Sequence, residues 1–347
     1  MLTRLVCSPA PVRYRAFFNQ LNGLCSACTT LDAKPLMHET IFQQLLLDMV
    51  DAERPVEFRR FQRLMFEAMV HFRHMKEGDL LNGFTQLQRL RTTFPPLSPT
   101  VRQLGEAMLT PMIAYYYFRI RDFATATYYN QYSVAISSEL QATYPVLHLH
   151  QIQQQFNLSR IELAQHRYEE ALSRLKELID YLLTGRAPNL TGVWTSAMRA
   201  GLAQPIATNQ LLDIINELVF HSLKSDELET MIPPVVLAES SLWTGRKKLR
   251  IPSPEAAIQT WWQAYQPESD EQQHLFLTGI ITLIQQYPLE YDQLKLLLLG
   301  RLHHFTAHSE WVSSEHLLLI RRFVNTKLHL SDRLLRHIRT IRSQPTR

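Results

Sequence analysis

The residues with the most distinctive chemistry near the start of the chain are its cysteines, Cys7, Cys25 and Cys28. Cys25-Ser-Ala-Cys28 has a C-x-x-C spacing, and His38 would complete a set of three Cys and one His. A structural zinc site needs four convergent ligands, and a thioredoxin-type motif needs a βαβ context. Both cysteines of the motif fall on one face of a predicted helix, with no predicted strand beside it. We therefore interpret them as small buried residues at a helix interface, and we expect no metal and no cofactor.

Histidines are the second group that could do chemistry. His304 and His308 are four residues apart, so they would share one side of a helix. The zincin pattern also requires a Glu beside the first His as the base, and Phe305 occupies that position. His148 and His150 are two residues apart and point to different faces of a helix. We therefore favour solvent-exposed or capped histidines near helix ends over a metal or acid–base site.

Catalytic motifs are missing from the sequence. Only 10 of the 347 residues are glycine, under half the usual share of about 7%. Phosphate-cradling loops consume glycine, and no P-loop, dinucleotide fingerprint or nucleophile elbow occurs. We therefore expect a non-enzymatic protein.

Composition indicates a folded, water-soluble chain. The apolar fraction is 46% and the net charge only +4, which excludes intrinsic disorder. A membrane-spanning helix needs about 20 mostly apolar residues, and the strongest apolar run, 294–302, is interrupted by Lys295 and Arg301. Free cysteines suit a reducing compartment. We expect a cytoplasmic protein, bacterial in style.

Tyrosines are concentrated in one segment, since seven of the 13 lie between Tyr115 and Tyr144. Three in a row, Tyr115 to Tyr117, span about 200° of a helix, so at least one should face away from its own helical hairpin. Tyrosine is favoured at binding surfaces because it buries a large area and keeps a hydroxyl for a partner. The alternative is packing between long helices.

Basic residues are concentrated at the C-terminal end. Residues 321–347 contain eight Lys and Arg against one Asp, a net charge of +7. Such a flank can bind nucleic acid, an acidic partner or a membrane surface. The alternative is a last helix that docks by its leucines and leaves its arginines in water. The candidate basic patch on this helix consists of Arg333, Arg336, Arg339 and Arg342.

The elements that must position these side chains are predicted to be helices, because apolar residues recur at three- and four-residue steps nearly everywhere. Prolines such as those of Phe94-Pro95-Pro96 separate the helices. The expected architecture is all-α, with one short β-hairpin near 235–251 as the single exception. We predict a helical-repeat domain over 1–184, an irregular segment over 185–253 that contains a helix at 208–224, and a helical module over 254–347.

Three of the predicted turns share a degenerate internal repeat. Each turn has a polar start, an apolar or aromatic residue, and a small residue three positions later. Leu80 and Phe123 are 43 residues apart, and Phe123 and Tyr168 are 45 apart. The aromatic residue would fill the space between two helices, and the small residue would let them approach. The three turns are Gly78-Asp79-Leu80-x-x-Gly83, Arg121-Asp122-Phe123-x-x-Ala126 and His166-Arg167-Tyr168-Glu-Glu-Ala171.

This layout resembles the tetratricopeptide repeat over residues 55–185, with a period about ten residues longer than the 34 of that family. The resemblance implies a right-handed solenoid of helical hairpins whose concave surface binds a protein or peptide. It also implies which first-helix residues face that surface, and their aromatic and basic character suits acidic groups. They are Phe72, Lys76, Tyr115, Arg119, Gln153, Phe156 and Arg160.

The sequence thus leaves two functions open. The favoured one is a scaffold or adaptor that binds a protein or peptide, and the alternative is a nucleic-acid-associated regulator or assembly factor that uses the basic C-terminal helix. Self-association is a further option, because several tryptophans offer apolar surface. These are Trp243, Trp261, Trp262 and Trp311.

Overall fold

The structure, a computed structural model, describes residues 9–26, 38–94, 96–184, 203–237, 261, 270–286, 292–307 and 314–328. Within these residues every regular element is helical, as the sequence predicts: there are thirteen α-helices, one π-helical turn (Pro233–Leu237) and no strand. Numbered in chain order, the α-helices are α1 (Pro9–Ser26), α2 (His38–Glu53), α3 (Pro55–Glu77), α4 (Leu80–Thr92), α5 (Pro99–Arg119), α6 (Phe123–Leu140), α7 (Leu147–Ala164), α8 (Tyr168–Thr184), α9 (Ala203–Ser222), α10 (Asp226–Ile232), α11 (Asp270–Gln286), α12 (Asp292–Ala307) and α13 (Ser314–Lys327).

The predicted β-hairpin near 235–251 is not seen where the structure can test it. Residues 235–237 belong to the π-helical turn Pro233–Leu237, which continues from α10. The rest of that segment lies outside the described residues. The helix predicted over 208–224 is α9.

The chain forms two compact units. One is Met37–Gln210, and the other combines Met1–Leu36 with Leu211–Arg347. The segment boundaries predicted after residues 184 and 253 fall at or within stretches that the structure does not describe, so that division stays a prediction.

The first unit contains three consecutive helical hairpins, α3–α4, α5–α6 and α7–α8. Each helix from α3 to α8 packs against the next along the chain, and α3 also packs against α5. Short connections force successive helices to run antiparallel. The apolar positions predicted from the helical period form the core of this array, with Leu64, Leu109 and Ile113 buried.

The three turns that look alike in sequence share one backbone conformation. Gly78, Arg121 and His166 occupy the same position and have φ values of 115°, 66° and 61°. These are the positive-φ residues of the described chain, and left-handed backbone commonly ends a helix in this way. After each one, the next N–H donates to a carbonyl five residues back: Asp79 to His74 at 3.0 Å, Asp122 to Tyr117 at 2.9 Å and Arg167 to Glu162 at 3.0 Å.

The small residue after each turn is buried, and at the first turn it lies against the preceding helix, as the repeat pattern predicts. Gly83, Ala126 and Ala171 are all buried. At the first hairpin the fit leaves no room for a side chain, because a Cβ on Gly83 would lie 2.6 Å from the carbonyl oxygen of His71. Helices α3 and α4 therefore approach more closely than a side chain on residue 83 would allow.

A carboxylate ties the first hairpin to the second. Glu57 on α3 accepts a hydrogen bond from the Ser98 hydroxyl at 2.7 Å and another from the Ser98 backbone N–H. The hydroxyl bond is the main reason that the pKa of Glu57 is lowered. Ser98 precedes the first turn of α5, but its hydroxyl serves Glu57 instead of capping its own helix.

In the second unit, α1 packs against α11 and α13. The Phe18 ring of α1 stacks on His316 of α13 with ring centroids 4.3 Å apart. The Tyr14 hydroxyl donates to the Gln273 side chain of α11 at 3.2 Å. An ion pair between Lys295 and Asp292, 2.9 Å long and almost wholly buried, lies within α12. No helix in the described part of the chain is long and apolar enough to cross a membrane.

Candidate functional site

Two of the predicted surface residues meet where the first and second hairpins pack together. The rings of Phe72 on α3 and Tyr115 on α5 meet edge to face, with centroids 5.4 Å apart and planes at 84°. Both side chains are half-buried. The contact places these two positions side by side on the first helices of neighbouring hairpins.

A cationic side chain lies beside each of these rings, one helical turn further along the same helix. The Lys76 ammonium lies 4.3 Å from the Phe72 ring centroid. The Arg119 guanidinium lies 5.5 Å from the Tyr115 ring centroid, and its Nη1 donates to the Tyr115 hydroxyl at 2.5 Å. Both cations are exposed, and within the described residues neither forms an ion pair with an acid. The four residues make one surface cluster of two rings and two free charges.

The third hairpin also pairs an aromatic ring with a cation, but its ring is buried. The Arg160 guanidinium lies 4.8 Å from the Phe156 ring centroid on α7. Arg160 is exposed, but Phe156 is only 2% exposed, so the ring is part of the core. Gln153 is half-buried, with its amide 3.5 Å from the Asn157 side chain. The structure thus joins four of the seven predicted residues directly and keeps the other three together on α7.

The pairs on α3 and α5 have the same register relative to their turns. Lys76 and Arg119 each stand two residues before the positive-φ residue, whereas Arg160 stands six before His166. Four residues correspond to about 6 Å along a helix axis. The cation is therefore displaced by one helical turn on the third hairpin.

The tyrosine triplet splits between two roles. Tyr115 faces Phe72, whereas Tyr116 stacks on Phe84 of α4 with centroids 3.8 Å apart. Tyr117 stacks on Tyr129 of its own hairpin, with centroids 5.6 Å apart. All three tyrosines thus take part in packing between helices, and Tyr115 does so at the contact between the first and second hairpins.

A polar network that the sequence did not indicate lies inside the array. The His150 Nε2 of α7 is 3.1 Å from the carbonyl oxygen of Ala107 on α5 and 3.1 Å from the Ser133 hydroxyl on α6. Ser133 donates to the same carbonyl at 2.8 Å. The Gln154 amide lies 3.4 Å from the imidazole, and the Phe42 ring of α2 stacks on it with centroids 5.8 Å apart.

The histidines at the start of α7 are therefore not the exposed or capped residues that the sequence predicts. His148 is 3% exposed and its Nε2 is hydrogen-bonded to the Tyr181 hydroxyl of α8. Burial lowers the pKa of both His148 and His150 to about 4. The two rings point to different faces of α7, as the sequence predicts. Both faces are covered by other helices, however, so the prediction that the rings are exposed or capped is wrong.

The Ser133–His150 pair resembles a nucleophile and its base in composition but not in setting. Ser133 is 0% exposed, and its proton is directed at the Ala107 carbonyl. A serine nucleophile must give its proton to the base and reach its substrate. The pair instead joins α5, α6 and α7.

The cysteine and basic candidates lie mostly outside the part of the chain that the structure describes. Cys25 is buried in α1, and burial raises the pKa of its thiol. Cys7, Cys28 and the basic patch of Arg333, Arg336, Arg339 and Arg342 lie outside the described residues. Among the residues that are described, no group of three or more His, Cys, Asp or Glu side chains is placed to hold a metal ion.

Compared with models of protein families, with curated proteins and with solved structures, the chain matches none. Its function must therefore be inferred from its own residues.

Proposed function

We propose that this chain is a non-enzymatic scaffold or adaptor, a right-handed tetratricopeptide-like solenoid that binds a protein or peptide segment bearing acidic groups. The observation that carries the proposal is the surface cluster of Phe72, Lys76, Tyr115 and Arg119. Two exposed cations there lie over two aromatic rings and have no acidic partner among the described residues.

The chemistry of the cluster favours a carboxylate-bearing ligand. The aromatic rings supply apolar contact area, and contact with the ring faces restrains the cations in one region. A preorganised cation loses less side-chain entropy on binding, so more of the interaction energy remains as affinity. Arg119 can hold a carboxylate through two parallel hydrogen bonds, and Lys76 acts as a point charge.

Peptide selection followed by charge reversal tests the proposal. Random dodecapeptides displayed on phage and selected on the wild-type chain should be enriched in Asp and Glu. The selected peptides should lose at least about tenfold in affinity for the double variant Lys76→Glu with Arg119→Glu, as measured by fluorescence anisotropy. The matched control is Arg89→Glu, which reverses an exposed charge on α4.

Two results would overturn the assignment. One is a selection without acidic enrichment. The other is equal loss of affinity in the double variant and in Arg89→Glu, which would point to a general charge effect.

The nucleic-acid-associated alternative rests on the sequence alone, through the basic patch of Arg333, Arg336, Arg339 and Arg342. Binding by that patch would neutralise phosphates and would weaken steeply with salt. It remains a prediction beside the scaffold function.

A further inference from the structure

The exposed side of α6, in the middle of the hairpin array, is almost free of charge. The helix contains one acid, Glu139, and no Lys or Arg over 18 residues. The second helices of the other two hairpins differ, since α4 carries Arg89 and Arg91 and α8 begins with two glutamates. The exposed residues of α6, here called the α6 face, are Ala124, Tyr128, Gln131, Tyr132, Ala135 and Glu139.

Two tyrosines dominate the α6 face. Tyr128 is 61% exposed and Tyr132 is 36% exposed. Their rings lie parallel, with planes at 6° and centroids 6.2 Å apart. Because each ring restrains the other, the pair is a stiff aromatic platform that loses little entropy on binding.

The spacing of the α6 face suits another helix. Ala124, Tyr128, Gln131 and Ala135 follow steps of four, three and four residues, which is the spacing of a helix-packing seam. The seam has small side chains at both ends and larger ones between them, so it offers both knobs and holes. Tyrosine enrichment and depletion of charge are also the compositional marks of an interface core.

We propose that the α6 face binds the α6 face of a second copy of this chain, with the two helices antiparallel about a twofold axis. A twofold interface must be complementary to itself, so a charge near its centre would meet the same charge from the other copy. The α6 face avoids this, because its one charge, Glu139, lies near the end of the helix.

Antiparallel pairing also matches size to size. It places the bulky Tyr128 of one copy opposite the small Ala135 of the other, and the twofold axis generates this contact twice. The same register sets Glu139 opposite Ala124, so the two carboxylates lie at opposite ends of the interface. A single helix pair buries less than the roughly 1,200 Å² of a standard interface, so we expect the dimer to be weak and reversible.

Sedimentation velocity of the 347-residue chain over a concentration series tests the proposal. The wild type should shift from monomer to dimer as concentration rises. Tyr128→Arg and Ala135→Glu should each weaken the dimer at least about tenfold, because each brings a buried charge into the seam. An equimolar mixture of the two variants should dimerise again, because the arginine introduced in one chain then meets the glutamate introduced in the other.

Two controls separate the interface from folding and from the scaffold function. Phe66→Glu changes an equally prominent residue, 70% exposed, on α3 and should leave the dimer unchanged. Lys76→Glu with Arg119→Glu should also dimerise normally, even if it fails to bind peptide. Unchanged far-ultraviolet circular dichroism would show that each variant folds.

The proposal is overturned if the wild type stays monomeric at every concentration. A dimer that persists in Tyr128→Arg would place the interface elsewhere. Failure of the mixture to dimerise would exclude the antiparallel register that opposes residues 128 and 135.

Discussion

The first helices of the three hairpins end in the same turn, yet they differ in what covers them. On α3 and α5 the rings of Phe72 and Tyr115 are half-buried and their cations stand in solvent. On α7 most residues are buried, including Phe156. The aromatic ring of the pair is thus half-buried at the surface on two helices and part of the core on the third, where only the cation stays exposed. The position of a helix in the array, more than the residue type, thus decides whether its aromatic ring is buried.

Helices α6 and α8 cover part of α7, and elements outside the three hairpins cover more of it. Phe42 of α2 stacks on His150. The Gln210 side chain donates to the Leu149 carbonyl at 2.8 Å. A helix covered on several sides has no face left for polar residues, so those residues must find partners inside the protein.

The polar side chains of α7 do find such partners. Glu162 is 6% exposed and accepts two bonds from the Arg174 guanidinium of α8, at 2.8 and 3.1 Å. Gln151 lies against Ser138 and Gln141, at 3.3 and 3.2 Å. Buried polar groups are costly unless bonded, so this layer fixes how the third hairpin sits against the second.

The largest expected difference between the two regions is the cost of removing the ring. Phe156→Ala should lower the free energy of unfolding by about 3–5 kcal/mol, because it opens a cavity in the core. Phe72→Ala should cost about 1–2 kcal/mol, because that ring is half-buried and solvent can fill the gap. Urea unfolding followed by circular dichroism measures both.

Equal costs for the two variants would contradict the contrast. Phe156→Leu serves as a control, since it keeps most of the volume and should recover much of the loss.

Acid should destabilise the α7 region through its buried histidines. Burial holds the pKa of His148 and His150 at about 4, against 6.5 for an ordinary histidine. Between pH 6.5 and 4 the unfolded chain takes up protons that the folded chain does not, so stability falls as the pH falls and this loss is complete below about pH 4. The loss is on the order of 3 kcal/mol per histidine.

Urea unfolding at pH values from about 7 to about 4.5 checks this expectation and stays above the range where the lowered pKa of Glu57 matters. His150→Gln keeps an amide donor for the Ala107 carbonyl and removes the titrating group, so its stability should fall less steeply with acid. The control His166→Gln changes an exposed turn histidine and should keep the wild-type slope. Identical slopes in wild type and His150→Gln would show that His150 is not held neutral by the fold.

Most of the hairpin array could be predicted from the sequence, because its signals are local. Helical periodicity, turn residues such as Gly78 and small residues such as Gly83 act within a few positions, and the structure has them where the pattern placed them. The register of the repeat named Phe72 and Tyr115 as surface positions, but the contact between their rings is seen only in the structure.

What the sequence did not predict depends on contacts between distant segments. The Gln, His and Ser content of α7 is typical of an exposed helix, and its burial arises from Phe42, Ser133, Tyr181 and Gln210. The single charge of α6 was a signal available in the sequence, but it becomes informative only once Tyr128 is known to be exposed. The β-hairpin was predicted to begin at residue 235, but residues 235–237 adopt a π-helical turn, and the rest of the predicted hairpin lies outside the described residues.

The smallest expected effect concerns the small residues that follow the turns, and it sharpens the comparison between the first and third hairpins. A methyl group on Gly83 would lie 2.6 Å from the His71 carbonyl oxygen, a backbone atom that cannot rotate away. Gly83→Ala should therefore push α4 away from α3 and cost about 1–2 kcal/mol, because overpacking outweighs the gain of about 1 kcal/mol in helix propensity.

The third hairpin already has the larger residue, Ala171, which is 0% exposed and fits. Ala171→Gly should lose about 0.5–1 kcal/mol from helix propensity and a small cavity. Adding a methyl group to one hairpin and removing it from the other thus destabilise the chain for opposite steric reasons. If Gly83→Ala proved neutral or stabilising in urea unfolding, α3 and α4 would have to pack no more closely than α7 and α8.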